Sequence, residues 1–328
     1  MEKEKQVVLR QIMRFFGKKR VYLSEATAKR ELKRRARRNE RRYVMPQKHK
    51  KLFERSVFDN QPFGKFDYFT KAGSDTAVFY VHGGAFSAQP VDFHWQFIKD
   101  IYARTGASIF VPLFPLAPKF TWKQTYVALV NFYKFVARSY KKIYIIGDSA
   151  GATLALGLAH MVMKENLVPP AAVVAMSPVV DMAFSNPEME KFRECDTMLG
   201  IEGAKYMCQK WARGASFKDP LVSPKYINFK NFPPLYLFYG EYEILCPDLR
   251  EFTKSVQAQG GKIFAVEQKR ALHVYPLMPI PKGIDAREVI ANVISRKKHY
   301  CDCSFCDVRV MPQKPSAELQ KSRKVAAL

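Results

Sequence analysis

One serine in the sequence lies in a setting that can turn its hydroxyl into a nucleophile. Ser149 follows the apolar, β-prone run Ile143–Ile146 in the sequence G-D-S-A-G, and an Ala- and Leu-rich helical pattern follows it. This order predicts a nucleophile elbow, in which Gly147 and Gly151 leave room for a sharp strand–turn–helix with the serine at its tip. A chance Gly/Ser turn is the alternative. The strand before the motif and the helix after it favour the elbow.

A serine hydroxyl needs a base to take its proton, and two histidines are candidates for that role. Chains with such an elbow place the acid and then the histidine after the nucleophile, which leaves His273 and His299. His273 follows the last strand-like run, Lys262–Gln268, in a loop that can reach over a sheet. His299 lies beyond the last predicted helix, so His273 is the predicted base.

The base needs a carboxylate to orient it, and three candidates follow the strand-like run Leu235–Tyr239. Glu241, Glu243 and Asp248 all lie within this segment. Glu243 lies in the turn at the carboxyl end of the strand, whereas Asp248 falls in the first turn of a helix and can serve there as a partner of the helix dipole. Glu243 is therefore the predicted acid.

Acyl transfer also requires hydrogen-bond donors for a developing oxyanion. The backbone N–H of Ala150, directly after the nucleophile, is one predicted donor. The sequence H-G-G-A follows the buried-strand run Thr76–Val81, and the N–H groups of Gly83 and Gly84 are the other predicted donors. Their lack of side chains would let a substrate oxygen approach closely.

With these motifs in place, residues 60–297 resemble the hormone-sensitive lipase-like family of α/β-hydrolase esterases. The motifs that carry the resemblance are H-G-G-A-F at 82–86, P-L-A-P at 115–118, G-D-S-A-G at 147–151, D-P-L-V-S-P at 219–224 and G-E-Y-E-I-L at 240–245, followed by His273. The resemblance implies an esterase with a helical cap and a triad of Ser149, the residue at the acid position, and His273. Two departures are visible: Glu243 stands where the family usually has Asp, and F-P-L-A-P at 114–118 replaces a common Y-R-L-A-P.

The elements around these residues predict the fold class and the domain organisation. Strand-like and helical segments alternate, which predicts an α/β-hydrolase fold, a mostly parallel sheet with helices on both faces and a helical cap. The catalytic core is predicted over 56–181 and 219–297, with 182–218 as a cap insertion. Residues 1–55 are predicted to be a basic arm that joins the cap, and 298–328 a Cys-containing, disordered tail.

The positive charge is concentrated in the arm. The chain of 328 residues has a net charge of +24, and residues 1–55 hold 20 Lys or Arg against 6 Asp or Glu. Within the arm, 5–17 shows an apolar helical face, and 25–43 is a very basic helical stretch. A solvated helix face is the favoured interpretation of these charges. Weak association with an anionic membrane surface stays open, no specific nucleic-acid binding is expected, and a homodimer stays open.

Cysteine usage and the start of the chain bear on the compartment. The first apolar run is short and interrupted by Arg10 and Arg14, so no secretory signal is expected, and the cytoplasm is the predicted location. The six cysteines are expected to be reduced. Cys301, Cys303 and Cys306 lie near His299, but four ligands so close in sequence at the start of a tail favour free thiols over a metal site.

The sequence thus predicts a serine hydrolase that cleaves carboxylic esters of small or medium acyl chains through an acyl-enzyme at Ser149. No metal or cofactor is expected, since the triad chemistry requires neither. Two alternatives stay open. One is a non-catalytic ligand- or surface-binding protein on the same fold, and the other is an acetyl-ester deacetylase with the same machinery.

Overall fold

The chain alternates strands and helices over most of its length. The computed structural model describes residues 18–61, 64–296 and 308–310. Its α-helices are α1 (Lys18–Tyr22), α2 (Glu25–Asn39), α3 (Asp92–Thr105), α4 (Trp122–Ser139), α5 (Ala150–Lys164), α6 (Ile201–Trp211), α7 (Cys246–Ala258) and α8 (Pro281–Ser295). Its strands are β1 (Glu54–Asp59), β2 (Lys65–Lys71), β3 (Ser74–Val81), β4 (Ala107–Pro112), β5 (Lys142–Asp148), β6 (Ala172–Met176), β7 (Leu235–Gly240), β8 (Ile263–Gln268) and β9 (Val308–Val310).

All of these strands belong to one sheet. Their order is β1-β2-β4-β3-β5-β6-β7-β8-β9. The central strands from β4 to β8 run parallel, whereas β1, β2 and β9 pair antiparallel with their neighbours at the two edges. The predicted architecture, a mostly parallel sheet, is confirmed.

Each face of the sheet carries its own apolar core. Along β5, Ile143 and Ile145 lie in one core, and Tyr144 and Ile146 lie in the other. Helices α4, α5 and α7 cover the first face, and α3 and α8 cover the second. Because side chains alternate along a strand, a continuous apolar run such as this one requires helices on both faces. The sheet is therefore a rigid, buried platform for the loops at its ends.

Those loops place the predicted site residues together. The carboxyl ends of parallel strands meet at one edge of a sheet, and ligands of such folds bind there. β3 ends at Val81, directly before the H-G-G-A sequence, and β5 ends at Asp148, directly before the nucleophile. β7 ends before the predicted acid and β8 before the predicted base. The fold thus brings four segments far apart in sequence to one edge.

Above this edge lies a layer formed by α1, α2 and α6, in which the arm packs against the 182–218 insertion. A side chain at Gly203 in α6 would meet the backbone of Tyr22 at 2.4 Å, so glycine there permits the close approach of α1 and α6. On α2, Ala28, Leu32 and Arg35 are buried, at the spacing of one helix face. We call α1 and α2 the roof of the site.

Three details differ from the sequence-based expectations or lie beyond them. The basic helix ends at Asn39, not near residue 43, and one of its faces is buried, so it is not only a solvated helix. Residues 308–310 form an edge strand beside β8, although the whole of 298–328 was expected to be disordered. The apolar face predicted for residues 5–17 lies outside the described residues.

Candidate active site

Ser149 is held in a strained turn between β5 and α5. Its backbone φ is 51° and its ψ is −124°, a conformation that non-glycine residues rarely adopt outside functional turns. A side chain at Gly147 would meet the Gly151 carbonyl oxygen at 2.3 Å, and one at Gly151 would meet the Val81 carbonyl oxygen at 2.1 Å. The two glycines of the motif are therefore required by packing, and the turn projects the serine from the edge of the sheet.

The predicted triad residues lie within hydrogen-bond distance of one another. The Ser149 Oγ is 2.9 Å from His273 Nε2, and His273 Nδ1 is 2.7 Å from Glu243 Oε2. Glu243 is completely buried, and His273 is 3% exposed. With its Nδ1 proton donated to the carboxylate, the imidazole presents a free Nε2 lone pair to the serine hydroxyl. This geometry suits proton transfer from Ser149 to His273.

Ser177, to which the sequence-based prediction gave no role, holds the acid and the backbone next to the base. Its hydroxyl donates to Glu243 Oε1 at 2.9 Å and accepts from the backbone N–H of Val274 at 3.0 Å. The N–H of Gly240 donates to the same carboxylate oxygen at 2.5 Å. In the sequence, Ser177 could have been recognised only from its place directly after β6. That strand lies between the strands that carry the nucleophile and the acid. Ser177 leaves the acid few orientations.

Asp196 is a second buried carboxyl group that the sequence argument missed. One of its oxygens accepts from the N–H groups of Met198 and Leu199, each at 2.8 Å, and the other accepts from that of Ile244 at 2.9 Å. It is completely buried, and burial raises its pKa above the ordinary value. Asp196 thus ties the insertion to the loop that carries Glu243.

Electrostatics at the triad favour the protonated form of the base. Burial by itself lowers the pKa of His273, but the hydrogen bond and the charge of Glu243 outweigh it, so that the pKa lies above the ordinary value of 6.5. A raised pKa makes the imidazole a stronger base toward the Ser149 hydroxyl. The same interaction stabilises the imidazolium that forms when the proton is transferred.

The other candidate acids and bases lie apart from this chain of hydrogen bonds. Glu241 accepts from the backbone N–H of Arg270. Asp248 lies in the first turn of α7, where burial raises its pKa to about 6. His160 lies in α5 beside a separate surface cavity, and His299 lies outside the described residues.

The structure corrects one of the predicted oxyanion donors. The N–H of Gly83 donates to the Asp148 Oδ1 at 3.0 Å, so it is not free for a substrate. Gly84 and Ala85, both at positive φ, line the cavity beside Ser149. The N–H of Ala150 begins α5, where the first turn of a helix leaves N–H groups without intrahelical acceptors. Gly84 and Ala150 thus stay predicted donors, and Ala85 is the residue of this loop that lies next to them in the cavity lining.

A buried polar network supports the loop that carries these donors. Asp148 accepts from the Tyr80 hydroxyl at 2.5 Å and lies 3.3 Å from His94 Nε2. His82 donates from Nδ1 to the Gly83 carbonyl oxygen at 2.8 Å and stacks on Phe114. Burial lowers the pKa of His82 to about 4, so it is neutral at physiological pH. These residues shape the loop and do not reach the nucleophile.

The triad opens into a cavity of about 360 Å³ between the sheet edge and the roof. Its apolar lining includes Val21, Met198, Leu199, Leu277 and Met278, and its charged lining includes Glu31, Arg34, Arg35 and Arg38 of α2. A larger cavity of about 620 Å³ lies near the end of α2, but no triad residue lines it. The smaller cavity is therefore the candidate substrate site.

The described residues contain neither a group of metal-binding side chains nor a membrane-spanning helix. Within 18–61 and 64–296, no three His, Cys, Asp or Glu side chains are grouped so that they could hold a metal ion. None of the helices in these ranges is both long and apolar enough to cross a bilayer. Cys301, Cys303 and Cys306 lie outside the described residues, so the structure does not bear on that cluster.

The sequence matches one protein-family model and is similar to known hydrolytic enzymes. The model of a family described as alpha/beta hydrolase fold matches residues 78–277. An esterase of Acinetobacter venetianus is 27% identical over 201 residues, which are 59% of this chain and 65% of the esterase. A triacylglycerol lipase of Mycobacterium tuberculosis is 27% identical over 202 residues, 60% of this chain and 41% of the lipase. The chain thus matches less than two thirds of the length of each.

Solved structures show the same fold. An esterase from the bacterial hormone-sensitive lipase family superposes with a TM-score of 0.68 at 21% identity, covering 81% of this chain and 97% of that one. At this level of identity the likeness concerns the fold alone.

Proposed function

Since the chain belongs to the alpha/beta hydrolase fold family, in line with its hormone-sensitive lipase-like motifs, we propose that it is a serine hydrolase of carboxylic esters. Small or medium acyl chains are the proposed substrates, and the acyl group is transferred to Ser149. One observation carries the proposal, the continuous hydrogen-bond chain from Ser149 through His273 to the buried Glu243. A serine, an imidazole and a carboxylate in this order make the serine hydroxyl nucleophilic.

In the proposed first step, His273 Nε2 takes the hydroxyl proton of Ser149 as the serine oxygen attacks the ester carbonyl carbon. The tetrahedral intermediate places its negative oxygen near the N–H groups of Gly84, Ala85 and Ala150. The carbon–oxygen bond to the alcohol then breaks, and the imidazolium gives its proton to the leaving oxygen. The products of this half are the free alcohol and an ester between the acyl group and Ser149.

Water completes the cycle through the same groups. His273 takes a proton from a water molecule, and the resulting hydroxide attacks the acyl carbon of the serine ester. The Ser149 oxygen leaves with the proton from the imidazolium, and the carboxylic acid is released. Throughout, Glu243 keeps the imidazole oriented and stabilises its charged form.

The size and lining of the cavity support short or medium acyl groups. Its volume of about 360 Å³ lies at the lower end of the usual range for ligand pockets. Met198, Leu199, Leu277 and Met278 provide an apolar surface beside the nucleophile. An acyl chain placed there would gain from burial of its methylene groups until the cavity is filled.

The test is a series of p-nitrophenyl esters from acetate to palmitate, hydrolysed by the wild type and by Ser149→Ala. We expect turnover that is highest for short or medium chains and falls by about 10⁴- to 10⁶-fold in the variant. Ser255→Ala, an exposed serine on α7, is the matched control. Preference for acetyl esters alone would favour a deacetylase. A folded wild type that binds esters without cleaving them would favour the non-catalytic alternative.

We further propose that the arm associates weakly with anionic membrane surfaces. Its support is the exposed Lys29, Arg30, Lys33 and Arg37 on α2. Flotation with vesicles containing phosphatidylserine tests this, and binding that does not depend on the anionic lipid would contradict it. Two further proposals are a cytoplasmic location, supported by the free thiols of Cys208 and Cys246, and a homodimer, to be tested by light scattering.

A further inference from the structure

Three arginines of α2 line the cavity beside the nucleophile. Arg34, Arg35 and Arg38 line the same cavity as Ser149 and His273. Arg38 follows Arg34 by four residues and Arg35 by three, so its side chain is a neighbour of both on the surface of α2. The roof thus presents cations to the cavity in which ester chemistry is proposed.

These arginines have a single carboxylate between them. Glu31 accepts from Arg34 at 2.6 and 3.0 Å, and from Arg35 at 2.9 Å. Arg35 is buried and also donates to the Gly84 carbonyl oxygen and the Ser87 hydroxyl. Arg38 is exposed, and none of the described residues offers it an ion-pair partner. The mouth of the cavity therefore carries more positive charge than negative.

Among the described residues that line the cavity, no other carboxylate offsets this charge at the mouth. The other carboxylate that lines it, Asp148, is buried and bound by Tyr80, Gly83 and His94. Below the arginines the surface is apolar, formed by residues such as Met198 and Leu277. A ligand that matches both parts would be apolar near the reacting carbonyl and anionic at its outer end. Guanidinium groups are well suited to bind carboxylate or phosphate at such a place.

We propose that the enzyme prefers esters that carry a carboxylate or phosphate group, which Arg38 binds at the mouth of the cavity with Arg34 beside it. This inference rests on the proposed ester hydrolysis and adds the substrate class. The anionic group can belong to the acyl part or to the alcohol part of the ester, because either part can extend from Ser149 to the mouth of the cavity.

Two pairs of matched esters measure the preference. In the first pair, mono-p-nitrophenyl glutarate is compared with p-nitrophenyl 5-methylhexanoate, in which two methyl groups replace the carboxylate oxygens. In the second, 3-(butanoyloxy)propyl phosphate is compared with its neutral dimethyl ester. The first pair tests a carboxylate on the acyl side and the second a phosphate on the alcohol side. The readout is the ratio of kcat/KM for the anionic ester to that for its neutral counterpart.

The matched variants differ by one position on the same helix. Arg38→Gln should lower the ratio about fivefold, as expected for one exposed charge contact, and Arg38→Glu should lower it further, about twentyfold. Arg37 is also exposed and lies in the last turn of α2 but does not line the cavity. Arg37→Gln and Arg37→Glu should change the ratio less than about twofold. Added salt should reduce the wild-type ratio, because exposed charges are screened.

Several results would overturn the inference. A wild type without preference for either anionic ester would do so, as would equal effects of the Arg37 and Arg38 variants. Loss of vesicle binding in both variants with unchanged ratios would assign the charges to membrane association instead.

The inference and the proposed hydrolysis can fail separately. If the wild type cleaves no ester, the same comparison is made by calorimetric binding of the two glutarate-series esters to Ser149→Ala and to its Arg38→Gln derivative. Tighter binding of the anionic ester that is lost with Arg38 would support the substrate class while the hydrolysis proposal fails. Equal binding of both esters would overturn the substrate class as well.

Discussion

The sheet edge and the roof, which enclose one cavity, are held in place by different forces. At the sheet edge, buried carboxylates accept hydrogen bonds from fixed backbone N–H groups, as Glu243 and Asp196 do. The roof is a short amphipathic layer in which α2 buries one narrow face that includes Arg35 and leaves its other arginines at the surface. The edge therefore has one arrangement suited to a single chemistry, whereas the roof can vary its charge without disturbing the triad.

Substitutions at the sheet edge should have the largest effects on activity. His273→Ala removes the base, and kcat should fall about 10⁴- to 10⁶-fold, as for other members of a triad that acts as a unit. His160→Ala is the matched control, since this half-buried histidine lies in α5 away from the nucleophile and should lower kcat less than about threefold. Steady-state kinetics on a short-chain ester measures both. Comparable losses in the two variants would contradict the assignment of His273.

Removing the charge of the acid should have the next largest effect. Glu243→Gln keeps the side-chain shape but cannot stabilise the imidazolium, and we expect kcat to fall about 10³- to 10⁴-fold. Asp248→Asn should be nearly neutral, because Asp248 lies in the first turn of α7 and takes no part in the hydrogen bonds that join Ser149, His273 and Glu243. If Asp248→Asn proves the more damaging change, the acid is the wrong residue.

Acidification should inactivate the enzyme through its base. The pKa of His273 is raised above 6.5, and only the neutral imidazole can take the Ser149 proton. Activity should therefore rise with pH, with half of the limiting kcat/KM reached above pH 6.5 and about a tenfold loss for each unit below that midpoint. A pH profile of kcat/KM measures this. Activity unchanged well below pH 6 would contradict a histidine base.

The supports of the acid should matter less than the triad itself. Asp196→Asn places an amide against N–H donors at a completely buried position, and the loop at Ile244 should shift. We expect kcat to fall about tenfold with little change in KM, because a misplaced acid affects the chemical step. Asp181→Asn is the matched control, a buried carboxyl of the same chain region that binds Lys225. Equal losses of kcat in the two variants would contradict a specific role of Asp196 in positioning the acid.

The sequence could predict the sheet edge better than the roof for a physical reason. The elbow, the base and the acid each follow a strand within a few residues, so local patterns indicate their places. In the loop of residues 82–85, here called the donor loop, Gly83 was a predicted oxyanion donor, but its N–H donates to Asp148, which is 65 residues away in sequence. Asp196 and Ser177 were missed because their partners also come from distant segments. Such contacts leave no local pattern.

The burial of one face of α2 was not predicted for the same reason. A stretch dominated by Lys and Arg indicated a solvated helix, since its few apolar positions gave a weak amphipathic pattern. The structure buries Arg35 with Leu32 on the inner face, where the guanidinium reaches acceptors on the donor loop. Only the three-dimensional neighbours of Arg35 distinguish it from the exposed Arg37.

The smallest effect on activity should come from the contact that joins the roof to the sheet edge. Arg35→Met keeps the apolar volume but removes the hydrogen bonds to Gly84 and Ser87, while Glu31 keeps Arg34 as its partner. We expect the free energy of unfolding to fall by about 2 kcal/mol, the usual loss for hydrogen bonds from a charged group, and KM to rise a few-fold with kcat nearly unchanged. Arg37→Met, exposed on the same helix, should change neither. Chemical denaturation and steady-state kinetics measure the two effects. A loss of kcat as large as that of Asp196→Asn would show that α2 positions the donor loop, and the roof would then belong to the catalytic machinery.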